Sequence, residues 1–287
     1  MTYNEEAVLF DCADNRLVGI LAKPEAPTKI GVIVIVGGPQ YRAGSHRQFV
    51  LLSRALAAAG YAALRFDYRG MGDSEGSPRD FQAVSDDIGT AVALLQDRVP
   101  AVKQIVLWGL CDGASAALLY CHETSDKRIA GLCLLNPWVR SEATLAKTQV
   151  KHYYTQRLRQ KEFWVKLFSG KVAASAVGSL ARSVKTALIS QSPKAQAETG
   201  PSYQQKMALA WDHFSGKILL VLSGNDYTAK EFLENAQGDT SWKNSLTHPQ
   251  LVRHDLQDAD HTFSGLASGN AVVSLMLRWL EPMPVNS

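Results

Sequence analysis

The strongest pattern in the chain is the run IGVIVIV at 30–36, closed by Gly37-Gly38-Pro39. An unbroken, β-branched apolar run reads as a strand buried on both faces, and such strands belong to parallel sheets. Residues 47–59 (RQFVLLSRALAAA) are helical by period and stop at Gly60, and YAALRF at 61–66 supplies the next strand. Phe81, Val84, Ile88, Val92 and Leu95 then recur at helical spacing. Strand 104–108 (QIVLW), helix 112–122 and strand 129–135 (IAGLCLL) follow. Upstream, 6–10 and 16–22 read as a hairpin at a sheet edge, turning at Asp14-Asn15. The alternation predicts an α/β fold with a doubly wound, mostly parallel sheet.

The alternation breaks at Asn136-Pro137. From 138 to 212 the chain shows helical segments without buried strands, and this stretch reads as a helical cap insertion over one end of the sheet. Its aromatics Tyr153, Tyr154, Phe163, Trp164 and Phe168 fit helix core more readily than pocket lining. Strand–helix alternation resumes with KILLVLS (217–223), a helical 229–236, PQLVRHDL (249–256) and a last helix near 268–280. The expected division is therefore 1–137 with 213–287 as the core and 138–212 as the cap. There are no internal repeats and no Ser/Gly- or Pro-rich linkers.

Composition narrows the function class. With 287 residues, 46% hydrophobic and 20% charged, the chain can bury a core without a metal or disulfide staple. The balance of 30 Lys+Arg against 27 Asp+Glu argues against a nucleic-acid partner. Cys12, Cys111, Cys121 and Cys133 show no CxxC or Cys/His ligand spacing, so no metal or other cofactor is expected. No apolar run reaches the ~18–20 residues of a membrane span, and MTYNEEAVLF lacks the pattern of a secretory signal. A cytoplasmic protein is the resulting expectation, with monomer and dimer left open.

The chemistry concentrates in Gly109-Leu110-Cys111-Asp112-Gly113, which ends a buried strand and opens a helix. Composition gives about 0.02 chance matches to G-x-C-x-G, so a match at a strand–helix junction is informative. In such a turn the central residue is held at strained φ/ψ and its side chain projects above the sheet. The next residue offers its backbone N–H to an oxyanion at a helix N-terminus. A buried cysteine acting as a small hydrophobe is the plainer alternative. A nucleophile needs a base, and the base an orienting group. Asp226 follows strand 217–223 and His261 follows strand 249–256, both at the carboxyl edge where open α/β sheets bind ligands. Taken singly, each suits a loop residue; in the order nucleophile, acid, base they suit acyl transfer. Asp260 is the weaker alternative to Asp226. The second oxyanion donor belongs in the loop after 30–36. Pro39 has no N–H, which leaves Gln40 beside Asp112, with Gly38 as the alternative. Tyr41 and Arg42 are the candidate substrate contacts, and Arg42, Arg47 and Arg69 could neutralise Asp112.

These features, with Asp67-Tyr68-Arg69-Gly70-Met71-Gly72-Asp73-Ser74 after the fourth strand, make residues 30–281 resemble the α/β-hydrolase superfamily. GGPQYRAGSHRQF and FDYRGMGDSEG are similar to the type 1 exosortase A system-associated hydrolases, bacterial proteins encoded beside exopolysaccharide and protein-sorting genes. The resemblance implies a hydrolase cleaving an ester, thioester or lactone of a small-molecule acyl substrate, with Cys111 where serine is usual. The rival expectations are an acyltransferase using the same residues and a non-catalytic binding protein on the same fold.

Overall fold

The computed structural model describes residues 2–38, 40–140 and 200–283. The chain divides into two compact units, 1–138 with 202–287, and 139–201. Nearly all of the second unit, including the five aromatics of 153–168, lies outside the described residues.

The first unit is built on an eight-stranded sheet ordered β1-β2-β4-β3-β5-β6-β7-β8. The strands are β1 (Tyr3–Cys12), β2 (Asn15–Pro24), β3 (Ile30–Ile35), β4 (Ala62–Phe66), β5 (Gln104–Leu110), β6 (Ile129–Leu135), β7 (Lys217–Ser223) and β8 (Leu251–Leu256). β1 pairs antiparallel with β2, and β2 with β4; every other pairing is parallel. This is the doubly wound, mostly parallel α/β sheet that the apolar runs imply. The hairpin sits at the sheet edge, turning at Ala13-Asp14, one residue earlier than Asp14-Asn15, because Cys12 pairs with Asn15 and Ala13 takes φ 50°.

Helices cover both faces. β3 is buried along its whole length, and its alternate side chains face opposite layers. Val32 and Val34 pack in one cluster with Phe49, Leu52 and Leu56 of α1 (Gln48–Ala58) and with Met276, Trp279 and Leu280 of the last helix (Leu266–Leu280, α6). On the other side a Cβ at Gly31 would meet Leu95 Cδ2 of α2 (Ser85–Arg98) at 2.9 Å. The helix α3 (Asp112–Thr124) is buried over most of its length, as befits the centre of a sheet face.

The helix α4 (Tyr203–His213) lies in the stretch read from sequence as insertion, yet it belongs to the sheet-bearing unit. Ser202 and Gln205 form a capping box at its start, and its inner face buries Met207 and Trp211. Trp211 packs against Phe232 of α5 (Tyr227–Gly238) and against Trp242, with ring centroids 6.0 and 5.9 Å away. The unit thus resumes at Ser202, not 213, because this amphipathic face finds its partners in the core.

Candidate active site

Cys111 sits between β5 and α3 with φ 59° and ψ −125°, a conformation that L-residues seldom adopt. The flanking glycines are sterically required. A Cβ at Gly109 would lie 2.4 Å from Gly113 backbone, and one at Gly113 would lie 2.5 Å from Ile35 O. Cys111 N–H donates to Leu135 O at 2.9 Å, and Cys111 O accepts from Ala114, Ser115 and Trp138 N–H. The turn is therefore locked to β6 and α3 while the cysteine stays partly accessible. Cys12 and Cys133 are buried, and burial alone pushes the Cys133 thiol up.

Asp226 and His261 converge on this turn from the ends of β7 and β8. Asp226 is the N-cap of α5; its carboxylate accepts Thr228 N–H and Ala229 N–H, both at 3.1 Å. The same carboxylate meets His261 Nδ1 at 2.8 Å, so capping and orientation of the ring are combined in one buried side chain. The Cys111 sulfur lies near enough to the ring to act on its charge. The Asp226 carboxylate and then the Cys111 sulfur push His261 up to about 10, against the opposing effect of burial. Asp260 is turned away, accepting Ser264 N–H at 2.8 Å within its own loop. An imidazole held between a carboxylate and a thiol at a strained turn can carry a proton off sulfur and return it to a leaving group.

The Asp112 side chain takes an unexpected course. Gly38 N–H donates to Asp112 Oδ1 at 2.5 Å. Burial raises the Asp112 carboxyl, against the opposing effect of the Gly38 N–H. Gly38 N–H, the alternative oxyanion donor, is thus already engaged by a carboxylate. Gln40 keeps its loop in shape through Oε1, which accepts Ser45 N–H at 3.1 Å and Gln48 Nε2 at 3.3 Å.

Arg42 and Arg69 do not neutralise Asp112. Arg42 N–H donates to Asp67 Oδ1 at 2.6 Å; its guanidinium bonds Asp67 Oδ2 and, at 2.5 Å, Asp73 Oδ2. Arg69 is bound to buried Asp87 at 2.7 Å and to Asp86 at 3.4 Å. Fully buried Asp67 also accepts Asp73 N–H at 3.2 Å, and Gly72, at φ +55°, leaves it room. The Asp67–Ser74 stretch is therefore a clamp on the Arg42 loop, and Arg42 spends its charge on that clamp instead of standing free for substrate. Tyr41 is half-exposed and lines a cleft of about 540 Å³ with Gln40, Met71 and Arg79.

Two site-building residues had no recognisable role in the sequence. Buried Asn136, at φ 44°, donates from Nδ2 to Ser223 Oγ at 2.9 Å and to His261 O at 3.0 Å, and its Oδ1 accepts Ser223 N–H at 2.9 Å. Ser223 Oγ donates onward to Asp260 O at 2.7 Å. The ends of β6 and β7 thereby hold the histidine loop. The available signal was a polar residue where an apolar strand ends, which also marked the break before Pro137.

A family model described as serine aminopeptidase, S33, matches residues 28–217, about two thirds of the chain. The quorum-quenching protein AidA of Acinetobacter baumannii is 24% identical over 235 residues, covering 79% of this chain and 69% of AidA. The lysophosphatidylserine lipase ABHD12 of Danio rerio is 36% identical over 96 residues, 33% of this chain and 24% of the lipase. The solved Pyrococcus furiosus esterase Pf2001 superposes with a TM-score of 0.65 at 18% identity, covering 98% of this chain and 94% of the esterase, a likeness of fold. Among the described residues no helix is long and apolar enough to cross a membrane. Sheet order, strand–turn–helix junction and family match agree: the chain belongs to the serine aminopeptidase S33 family of α/β-hydrolases.

Proposed function

We propose that this protein is a hydrolase of carboxylic esters or thioesters that works through an acyl-Cys111 intermediate. The observation that carries the reading is the His261 ring, held by Asp226 at 2.8 Å, beside a cysteine at a strained strand–helix turn. His261 holds the proton taken from Cys111, and the sulfur attacks the substrate carbonyl, forming the S–C bond as the C=O electron pair moves onto oxygen. The tetrahedral oxyanion is met by the N–H of Asp112 and by that of Gln40 or, in its place, Gly38. His261 returns the proton to the departing alcohol or thiol as the C–O or C–S bond breaks. It then takes a proton from water, whose oxygen attacks the acyl carbon; collapse cleaves the S–C bond and restores the thiol.

Relatives named as an esterase and a lipase support an ester-type substrate. GGPQYRAGSHRQF and FDYRGMGDSEG support a bacterial, cytoplasmic setting beside exopolysaccharide and exosortase systems. Tyr41, with the cleft it lines, is the candidate contact for the acyl or leaving group. The test is hydrolysis of short-chain p-nitrophenyl esters and matching thioesters by wild type, Cys111→Ala and His261→Ala. Each variant is expected to lose kcat by about 10³-fold or more. Equal rates in all three would overturn the reading.

A further inference from the structure

Resting on the reading of Cys111 as nucleophile, we propose that the Asp112 carboxylate is a built-in occupant of the oxyanion cradle, which a substrate carbonyl enters only when that side chain leaves. An acidic residue in the first turn of a helix ordinarily serves the helix dipole from the surface. Asp112 instead aims inward, across to the loop after β3, and takes Gly38 N–H at 2.5 Å. Backbone N–H groups from the residue after a nucleophile and from the loop after this strand are what an oxyanion needs. Here a negative oxygen supplied by the chain already occupies the donor of that loop, Gly38 N–H. Gly37 makes room for it, since a Cβ there would lie 2.4 Å from Asp112 Oδ1.

The surroundings give the occupant a pH dependence. Arg42 and Arg69 are committed to Asp67, Asp73, Asp86 and Asp87, so neither guanidinium is spent on Asp112. Asp80 adds a like charge, and buried Tyr68 spends its hydroxyl proton on Val36 O. Cys111, one residue away, lies beside His261, which Asp226 holds at 2.8 Å. Burial raises the Asp112 carboxyl, so it gains a proton at milder acidity than a surface aspartate. Protonation weakens its hold on the Gly38 N–H, and the cradle opens as pH falls. At neutral pH and above, the charged carboxylate competes with substrate.

The experiment measures kcat/KM for p-nitrophenyl acetate from pH 5 to 8.5 in wild type, Asp112→Ala and Asp112→Asn, with Cys111→Ala as control. Inhibition by a trifluoromethyl ketone, whose thiol adduct carries an oxyanion, is measured alongside. At pH 8, Asp112→Ala is expected to raise kcat/KM and ketone affinity about 10²-fold, the lower end of the scale on which a single cradle donor acts. Asp112→Asn keeps the shape, loses the charge, and should flatten the acid-side rise of wild type. A merely structural aspartate would alter stability without moving either profile. Rates in Asp112→Ala at or below wild type, with an unchanged profile, would overturn the proposal. The Gly38 amide resonance reports on occupancy without turnover: it should titrate in wild type and stay fixed in Asp112→Asn. A Gly38 amide that does not titrate refutes the occupancy. Titration with full activity in Cys111→Ala refutes the nucleophile alone.

Discussion

At the scale of single residues, His261 sets the pH behaviour. Its folded-state pKa of about 10 lies above the ordinary value of 6.5. A raised imidazolium contributes stability that is complete below pH 6.5 and is lost as pH climbs through about 10. Asp226 is the largest cause, so in Asp226→Asn the alkaline limb of kcat/KM is expected about one pH unit or more lower. Urea titrations should show wild type ahead of the variant at pH 6 and the gap narrowing by pH 10. A limb that stays in place would separate Asp226 from the ring's chemistry. Cys111, Asp226 and His261 could be read as candidates because each follows an apolar run that announces a strand end. The inward course of Asp112 could not, because it depends on space left at Gly37 by a loop seventy-odd positions earlier in the chain. Arg42 looked like a substrate contact for a similar reason: nothing local reveals that Asp67, inside the sheet, already holds it.

At the scale of elements, the strand ends act together. Asn136 at the end of β6 ties Ser223 at the end of β7 to the backbone of His261. Removing the amide leaves several buried polar groups without partners, at a cost of about 1–3 kcal/mol. Asn136→Ala is therefore expected to lower stability by that amount in urea and to lower kcat more than it changes KM, because the base loses its seat. Loss of stability with kcat intact would show that the histidine loop is held elsewhere. Hydrophobic runs made β3, β5, β6 and β7 legible, since all are buried. Exposed β8 depended on turn signals. The helix α4 fell within the stretch read as insertion and was not legible as core, because its partners Phe232 and Trp242 lie beyond the next strand.

At the scale of the whole molecule, the sheet brings three loop ends to one edge, from β5, β7 and β8, which lie within four successive places in strand order. Residues more than a hundred positions apart in the chain are thereby brought to one edge. The family takes its name from serine, while this chain presents sulfur at the turn. The most direct test is mass spectrometry of the protein quenched during turnover of a slow p-nitrophenyl ester, followed by peptide mapping. The account predicts an acyl mass increment on the peptide bearing Cys111, absent in Cys111→Ala and discharged by hydroxylamine. Steady turnover with no adduct on that peptide, or with the adduct on another side chain, would contradict it.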